Sequence, residues 1–289
     1  MSNCYRTETL YFDKGLFDSC VDVTYVITMV GSPRNEKIIK EINKYKPTKK
    51  VIIVYNPGFK KCDKNICDKK VINTREDIVH VNEYIFNNSS EYNNILILED
   101  DAEFSDEVFD SQHINNIENF INNNKFNTYS LGTVKSISSI FGTHIMIFYK
   151  GGMHAMIYSK LYREKFNICN YSYYCIESIT SYPYNTNGWG YHKTLVGQVW
   201  DATDNSKTWG YYGIGSIFQP IAYYFTKNNC IKGIENMNLI FKILNILLWL
   251  LLLFLLYYMC KKFASKNLSY KRTYKIFKKQ LTRIKSRII

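Results

Sequence analysis

From Lys261 to Ile289 the chain has no acidic residue, while eleven lysines and arginines fall in the same stretch. That one-sided tail accounts for nearly all of the formal charge of +12. Without it, the first 260 positions hold 26 basic residues against 25 acidic ones. A near-neutral body excludes the broad basic face that binding to nucleic acid requires. The N-terminal MSNCYRTETLYFDKG holds no apolar run, so the pattern of a cleaved secretory signal is lacking. Cys62 and Cys67 have neither a histidine partner nor a second cysteine pair nearby, and their spacing does not describe a zinc site. There is no visible internal repeat. With 46% hydrophobic and 16% aromatic residues, the composition also excludes a disordered chain.

The long apolar run is at the other end, at Leu239 to Cys260, where only Lys242 and Asn245 are polar. As a helix this stretch reaches about 33 Å, enough for a hydrocarbon core of about 30 Å. Leucines on every side leave no polar stripe of the kind a soluble helix shows. Lys242 suits one interface by snorkelling, and Tyr257 and Tyr258 suit the other. Beyond it, Tyr270, Tyr274, Phe277, Leu281, Ile284 and Ile288 recur at spacings of four and three with basic residues between them. This predicts a basic amphipathic helix lying on an anionic membrane surface, with a solvated charged helix as the alternative. On either reading the tail belongs in the cytoplasm.

A C-terminal anchor without a signal leaves the body in the cytosol, which implies a hairpin or interfacial anchor with body and tail on one side. That placement is the expectation, and a lumenal body with a cytosolic tail is the alternative. Eight cysteines permit disulfides without demanding them, and sequons at Asn87, Asn88, Asn170 and Asn267 matter only where a lumen is faced. The excess of Asn, Ile, Lys and Tyr is what an AT-rich genome encodes, in a large DNA virus or an AT-rich microbe; for a virus the membrane would be the host's or the virion's.

The body reads as one α/β domain over 1–237, followed by a membrane helix over 238–260 and the tail over 261–289. Asp22 to Val30, Val51 to Tyr55 and Ile95 to Leu98 are apolar, β-branched runs expected of buried strands. Ser32 as N-cap with Pro33 behind it opens a helix carrying Ile38, Ile39, Ile42 and Tyr45, and Thr74 with Asp77 resembles a capping box for a second helix through Phe86. Ile114 to Phe120 continues the alternation as a third helix. Strands are also expected at Tyr129 to Gly132, His144 to Tyr149 and His154 to Ser159, and the stretch from Tyr171 to Tyr212 reads as an extended loop region. Alternating strands and helices predict a mixed, mainly parallel sheet flanked by helices, with ligands at the carboxyl ends of its strands.

The apolar run at Ile95 leads directly into Glu99, Asp100 and Asp101. Three adjacent carboxylates at a strand end repel one another unless a cation lies among them, and hard oxygen ligands suit Mn²⁺ or Mg²⁺. Such an ion could bridge a diphosphate and neutralise it as a leaving group. The alternative is a solvated acidic loop continuing through Glu103, Asp106 and Glu107.

From about Tyr25 to Tyr224 the chain resembles glycosyltransferases of the family 25 type, which adopt the GT-A fold. In order, it shows a strand ending in Gly31-Ser32-Pro33-Arg34, then ILILEDD, Phe126 to Gly132, Gly152 to Ser159, and Gln219-Pro220. The resemblance implies a nucleotide-binding half at about 20–132, an acceptor half at about 133–230, and a metal-dependent hexosyltransferase. Its donor would be a nucleotide-diphosphate sugar, and its acceptor a hydroxyl of a glycan, glycolipid or protein. Asp101 and Glu99 would hold the Mn²⁺ or Mg²⁺, with His192 as a late ligand; Ser32, Arg34 and Asp100 would lie at the nucleotide sugar, and His154 beside the donor pocket. The family's acceptor-side Asp is missing here, and Glu177 stands as candidate general base, with Asp201 or Asp204 next in line. Tyr171, Tyr173, Tyr174, Tyr182, Tyr184, Trp189 and Tyr191 crowd the acceptor segment, where flat rings suit a pyranose. A non-catalytic membrane or virion-surface protein keeping the fold as a binding module is the rival reading.

Overall fold

The computed structural model describes residues 4–132, 155–166, 169, 188–198 and 223–285. The chain divides into two compact units, Met1–Asn238 and Leu239–Ile289. The elements of the first are β1 (Arg6–Tyr11), β2 (Val23–Met29), α1 (Asn35–Tyr45), β3 (Lys50–Asn56), β4 (Asn65–Ile66), β5 (Lys69–Lys70), α2 (Thr74–Asn87), β6 (Asn94–Glu99), β7 (Ala102–Phe104), α3 (Ser111–Asn123), β8 (Thr128–Ser130), β9 (Ala155–Ser159), α4 (Lys160–Lys165), β10 (Gly188–Gly190) and β11 (Val196–Gln198).

Seven strands form one sheet in the order β1-β3-β2-β6-β9-β8-β10. β3, β2 and β6 run parallel to one another, β10 runs parallel to β8, and β1 and β9 run antiparallel to their neighbours. The sheet is thus mixed and mainly parallel, and helices cover both faces. The strands carry this arrangement in their alternation. Val26 on β2 with Leu96 and Leu98 on β6 face one core, shared with Ile38 and Ile42 of α1 and Ile117 of α3. Val23, Tyr25 and Ile27 with Ile95 and Ile97 face a second core, shared with Val79, Val81 and Ile85 of α2 and Tyr162 of α4. Each such fully buried aliphatic side chain contributes roughly 1.5–3 kcal/mol. Burial on both faces is why these strands read as unbroken apolar runs.

Several local expectations are corrected. Ser32 is not the cap of α1: the helix starts at Asn35 with Arg34 as N-cap, and the Ser32 hydroxyl is used elsewhere. α2 is capped one residue earlier than expected, by Asn73, whose side chain accepts from the Glu76 N–H. Asp77 is buried instead, where it is held by Lys64 and Asn56. β1 was not foreseen, and the described part of the supposed loop region, 188–198, contains β10 and β11. The expected strand at His144 to Tyr149 lies outside the described residues.

Beside the second core, Tyr5 Oη and His80 Nδ1 lie 2.6 Å apart. Burial first, and the nearby Lys64 charge second, hold the imidazole below the ordinary histidine range, with Asp77 opposing them. The folded chain therefore resists a proton that the unfolded chain accepts below about pH 6.5. This contribution to stability is present above that pH and is lost as pH falls through the lower folded value. The melting temperature is expected to be lower near about pH 5 than near about pH 7.5, and His80→Gln is expected to flatten the difference.

The second unit is helical. Helix α5 (Cys230–Lys285) begins in the body and continues through Lys285. Its segment Cys230–Phe263 is long and apolar enough to cross a membrane by length and composition, and Leu247, Leu250, Leu253 and Phe254 of that segment are exposed.

Candidate functional site

β2, β3 and β6 bring their carboxyl ends to one edge of the sheet, with Ile27 opposite Glu99 and Met29 opposite Asn56. After β2 the chain turns sharply, with Gly31 at a φ of 76°, a left-handed backbone that favours glycine. The turn closes by Ser32 N–H donating to Met29 O at 3.0 Å. It presents Ser32 and Arg34 to the acidic residues that follow β6.

Asp100 is the hub. Its Oδ2 accepts from Ser32 Oγ at 2.9 Å and from Thr28 Oγ1 at 3.0 Å, and its Oδ1 lies 3.4 Å from Arg34 Nη1. Thr28 Oγ1 also contacts Asn35 Oδ1 at the start of α1. The Ser32 hydroxyl accepts from the Arg34 N–H at 3.2 Å while donating to Asp100, so one side chain ties the turn to the acidic strand end.

Asp101 is 6% exposed and accepts at Oδ2 from Gln198 Nε2 at 2.8 Å. The same oxygen lies 3.7 Å from Arg34 Nη1. Gln198 reaches Asp101 because β11 pairs antiparallel with β7, placing Gln198 opposite Ala102. The Gln198 amide is itself 8% exposed, and its Oε1 has no hydrogen-bond partner among the described residues. Arg34 therefore stands between two carboxylates, and a single guanidinium offsets part of the charge of both.

The acidic residues farther along are occupied separately. Lys37 pairs with Glu103 at 2.8 Å, Lys44 with Asp106 at 2.8 Å and Lys193 with Glu107 at 2.5 Å. The run from Glu99 to Glu107 is thus divided into three paired surface carboxylates and a distinct group at the strand end. Burial raises the Glu41 carboxyl above its ordinary range, although the Phe104 N–H donates to it at 2.9 Å.

The structure brings Ser32, Arg34, Asp100 and Asp101 together and adds Thr28 and Gln198, which sequence reasoning missed. The signal for Thr28 was a hydroxyl near the carboxyl end of an otherwise apolar strand; Gln198 gave no signal. Glu99 ends β6 at the same edge, half-buried. Its companion in the expected ligand set, His192, is exposed on the connection from β10 to β11. Among the described residues, no group of three or more His, Cys, Asp or Glu side chains is placed to hold a metal ion. Glu99 and Asp101 carry oxygen donors of the kind a hard cation takes, and such a cation would have to draw most of its other ligands from substrate phosphate and water. His154, Glu177, Asp201, Asp204 and Gln219-Pro220 lie outside the described residues. So do the aromatics of the acceptor segment except Trp189 and Tyr191. Trp189 is exposed on the edge strand, its ring 5.3 Å from that of Phe120. Tyr191 is buried, and its hydroxyl meets His113 Nδ1 at 2.8 Å, which gives it a packing role.

The fold and this edge define a mixed α/β protein with a polar, partly acidic cluster where such sheets collect ligands. No protein-family model matches the chain, and no curated protein matches it in sequence. Among solved structures it is similar to 4-diphosphocytidyl-2C-methyl-D-erythritol synthase from Anaerococcus prevotii. The identity is 10% and the TM-score 0.30, over 61% of this chain and 88% of that chain. A likeness of that size assigns neither family nor chemistry.

Proposed function

We propose that the chain is a membrane-anchored, GT-A-like glycosyltransferase that moves a sugar, a hexose in our reading, from a nucleotide-diphosphate donor to a hydroxyl of a glycan, glycolipid or protein. The observation that carries this reading is the Asp100 hub: a turn after β2 and an acidic end of β6, tied together at the ligand edge of a mainly parallel sheet. The ordered motifs from Tyr25 to Tyr224 support it. A single apolar helix supports a membrane location, which would keep the enzyme beside membrane-bound acceptors and raise their effective concentration.

Each residue has a task on this reading. Asp100 accepts from Thr28 and Ser32, and so positions the turn that faces the nucleotide. Arg34 holds the charge of Asp100 and Asp101 while the site is free of donor, and it is the cation available to turn toward a diphosphate. Asp101, steadied by Gln198, and Glu99 are the residues that would hold Mn²⁺ or Mg²⁺, with His192 as a further candidate. When bound, such an ion supplies charge neutralisation for the departing diphosphate. Glu177 is the proposed base that takes the proton of the acceptor hydroxyl, and His154 the residue beside the donor.

The test uses the full chain in detergent with Mn²⁺ and a panel of nucleotide-diphosphate sugars, followed by calorimetric binding and donor turnover. Asp101→Ala is expected to weaken metal-dependent donor binding by about 100-fold or more, and Arg34→Ala by about 10-fold, as charge-assisted contacts of roughly 1.5–3 kcal/mol are lost. If the native chain binds no donor with metal present, the enzyme reading fails. Donor binding without turnover favours the non-catalytic module.

A further inference from the structure

Two disulfides clamp the segment between β3 and α2. Cys62 is joined to Cys4, with Cα atoms 6.0 Å apart, and Cys67 to Cys169, with Cα atoms 5.8 Å apart. The remaining described thiols of the body do not compete for these partners. Cys20 and Cys230 are buried, and burial pushes the Cys20 thiol up to about 12. Thiolate is the exchanging species, and burial keeps both thiols from exchange. Structural disulfides form and persist in oxidising compartments and are rare where glutathione keeps thiols reduced.

A separate observation lies beyond the apolar stretch. The approach to it within the body, residues 223–238, carries only Lys227, Lys232 and Glu235, against eleven basic and no acidic residues after Cys260. The side of a membrane helix with excess lysine and arginine faces the cytoplasm. We infer that the body of this protein faces an oxidising lumen or exterior, and that its basic tail lies on the cytosolic leaflet, where anionic lipid complements it. The two observations are independent and select the same orientation. A hairpin that kept both parts in the cytosol would leave the disulfides in a reducing compartment. This reverses the cytosolic placement expected from the sequence. It also puts Asn87 and Asn88, both exposed at the end of α2, on the lumenal side.

The experiment places the full chain, tagged at each end, in sealed microsomal vesicles and adds trypsin outside. The expected result is loss of the C-terminal tag with the body protected until detergent is added. In the protected fragment, a mass-tagging maleimide is expected to modify at least four more cysteines after reduction than before it, two for each disulfide. Digestion of the body in intact vesicles overturns the inference, and so does a protected body whose cysteines label equally with and without reduction. Neither outcome depends on whether the chain transfers sugar.

Discussion

Lys64→Met is expected to destabilise the body by about 3–5 kcal/mol, the cost of leaving a buried charge without its partner. Lys64 is 1% exposed. Its ammonium donates to Asp77 Oδ1 and to Asn56 Oδ1, each at 2.5 Å, and lies 4.8 Å from the centre of the Tyr5 ring. Burial pulls the lysine below its ordinary range, while the contact with Asp77 opposes the shift. Removing the ammonium leaves the Asp77 carboxylate with one remaining donor in the network, Asn56 Nδ2 at 3.0 Å. The loss has a distinctive signature. Lys64→Met/Asp77→Asn, which removes both charges, should be more stable than the single variant. Urea unfolding followed by tryptophan fluorescence measures both, and a single variant within about 1 kcal/mol of the native chain would contradict a buried ion pair. The site should feel the change too, because Asn56 ends β3 beside Met29 and accepts at Oδ1 from the Gly58 N–H at 2.9 Å.

Gly132→Ala is the second large effect, and it acts on the site directly. A Cβ at this position would lie 1.6 Å from Val196 O and 2.8 Å from Val196 C. The obstacle is backbone, which cannot rotate away as a side chain does. The chain at Val196 is held close against this same segment by Leu195 N–H and Val196 N–H donating to Leu131 O at 2.9 and 3.3 Å. Inserting a methyl group must therefore displace β11, at a cost of at least about 1–3 kcal/mol. Gln198 is two residues along that strand, and it is the residue that donates to Asp101. The variant is expected to lose melting temperature and, on the proposed function, donor binding, whereas Gln198→Ala should weaken that binding with a much smaller change in melting temperature. Equal binding by the Gly132→Ala protein and the native chain would show that β11 does not position Asp101.

The contrast between these residues and those read from the sequence has a physical origin. The apolar runs at Val51 to Tyr55 and Ile95 to Leu98 were legible because a strand buried on both faces must be apolar at every position. The helices were legible from spacing, since Ile38, Ile42 and Tyr45 recur on one side of α1. β1 was not, because it is an exposed edge strand, Arg-Thr-Glu-Thr-Leu-Tyr, that owes its form to pairing with β3 far along the chain. β10 and β11 have three residues each, too few for any period to show. At the site, the acidic triplet announced itself by composition. The division of labour within it was hidden: Asp100 is spent on Thr28, Ser32 and Arg34, and only long-range pairing reveals Gln198. The disulfide partners were hidden for the same reason, since 58 and 102 residues separate them.

The opening of α5 sets where this protein can be cut. Cys230, Ile234 and Met237, spaced four and three, are buried to within 3% exposure, whereas Leu239 and Ile240 just beyond them are exposed. The first two turns of the helix are therefore part of the body's core, and the apolar surface suited to lipid starts only after them. A protease that releases the body intact must cleave beyond Met237. A secreted version truncated before Cys230 would lose a wall of its own interior and expose Gly197, against which Cys230 and Ile234 pack.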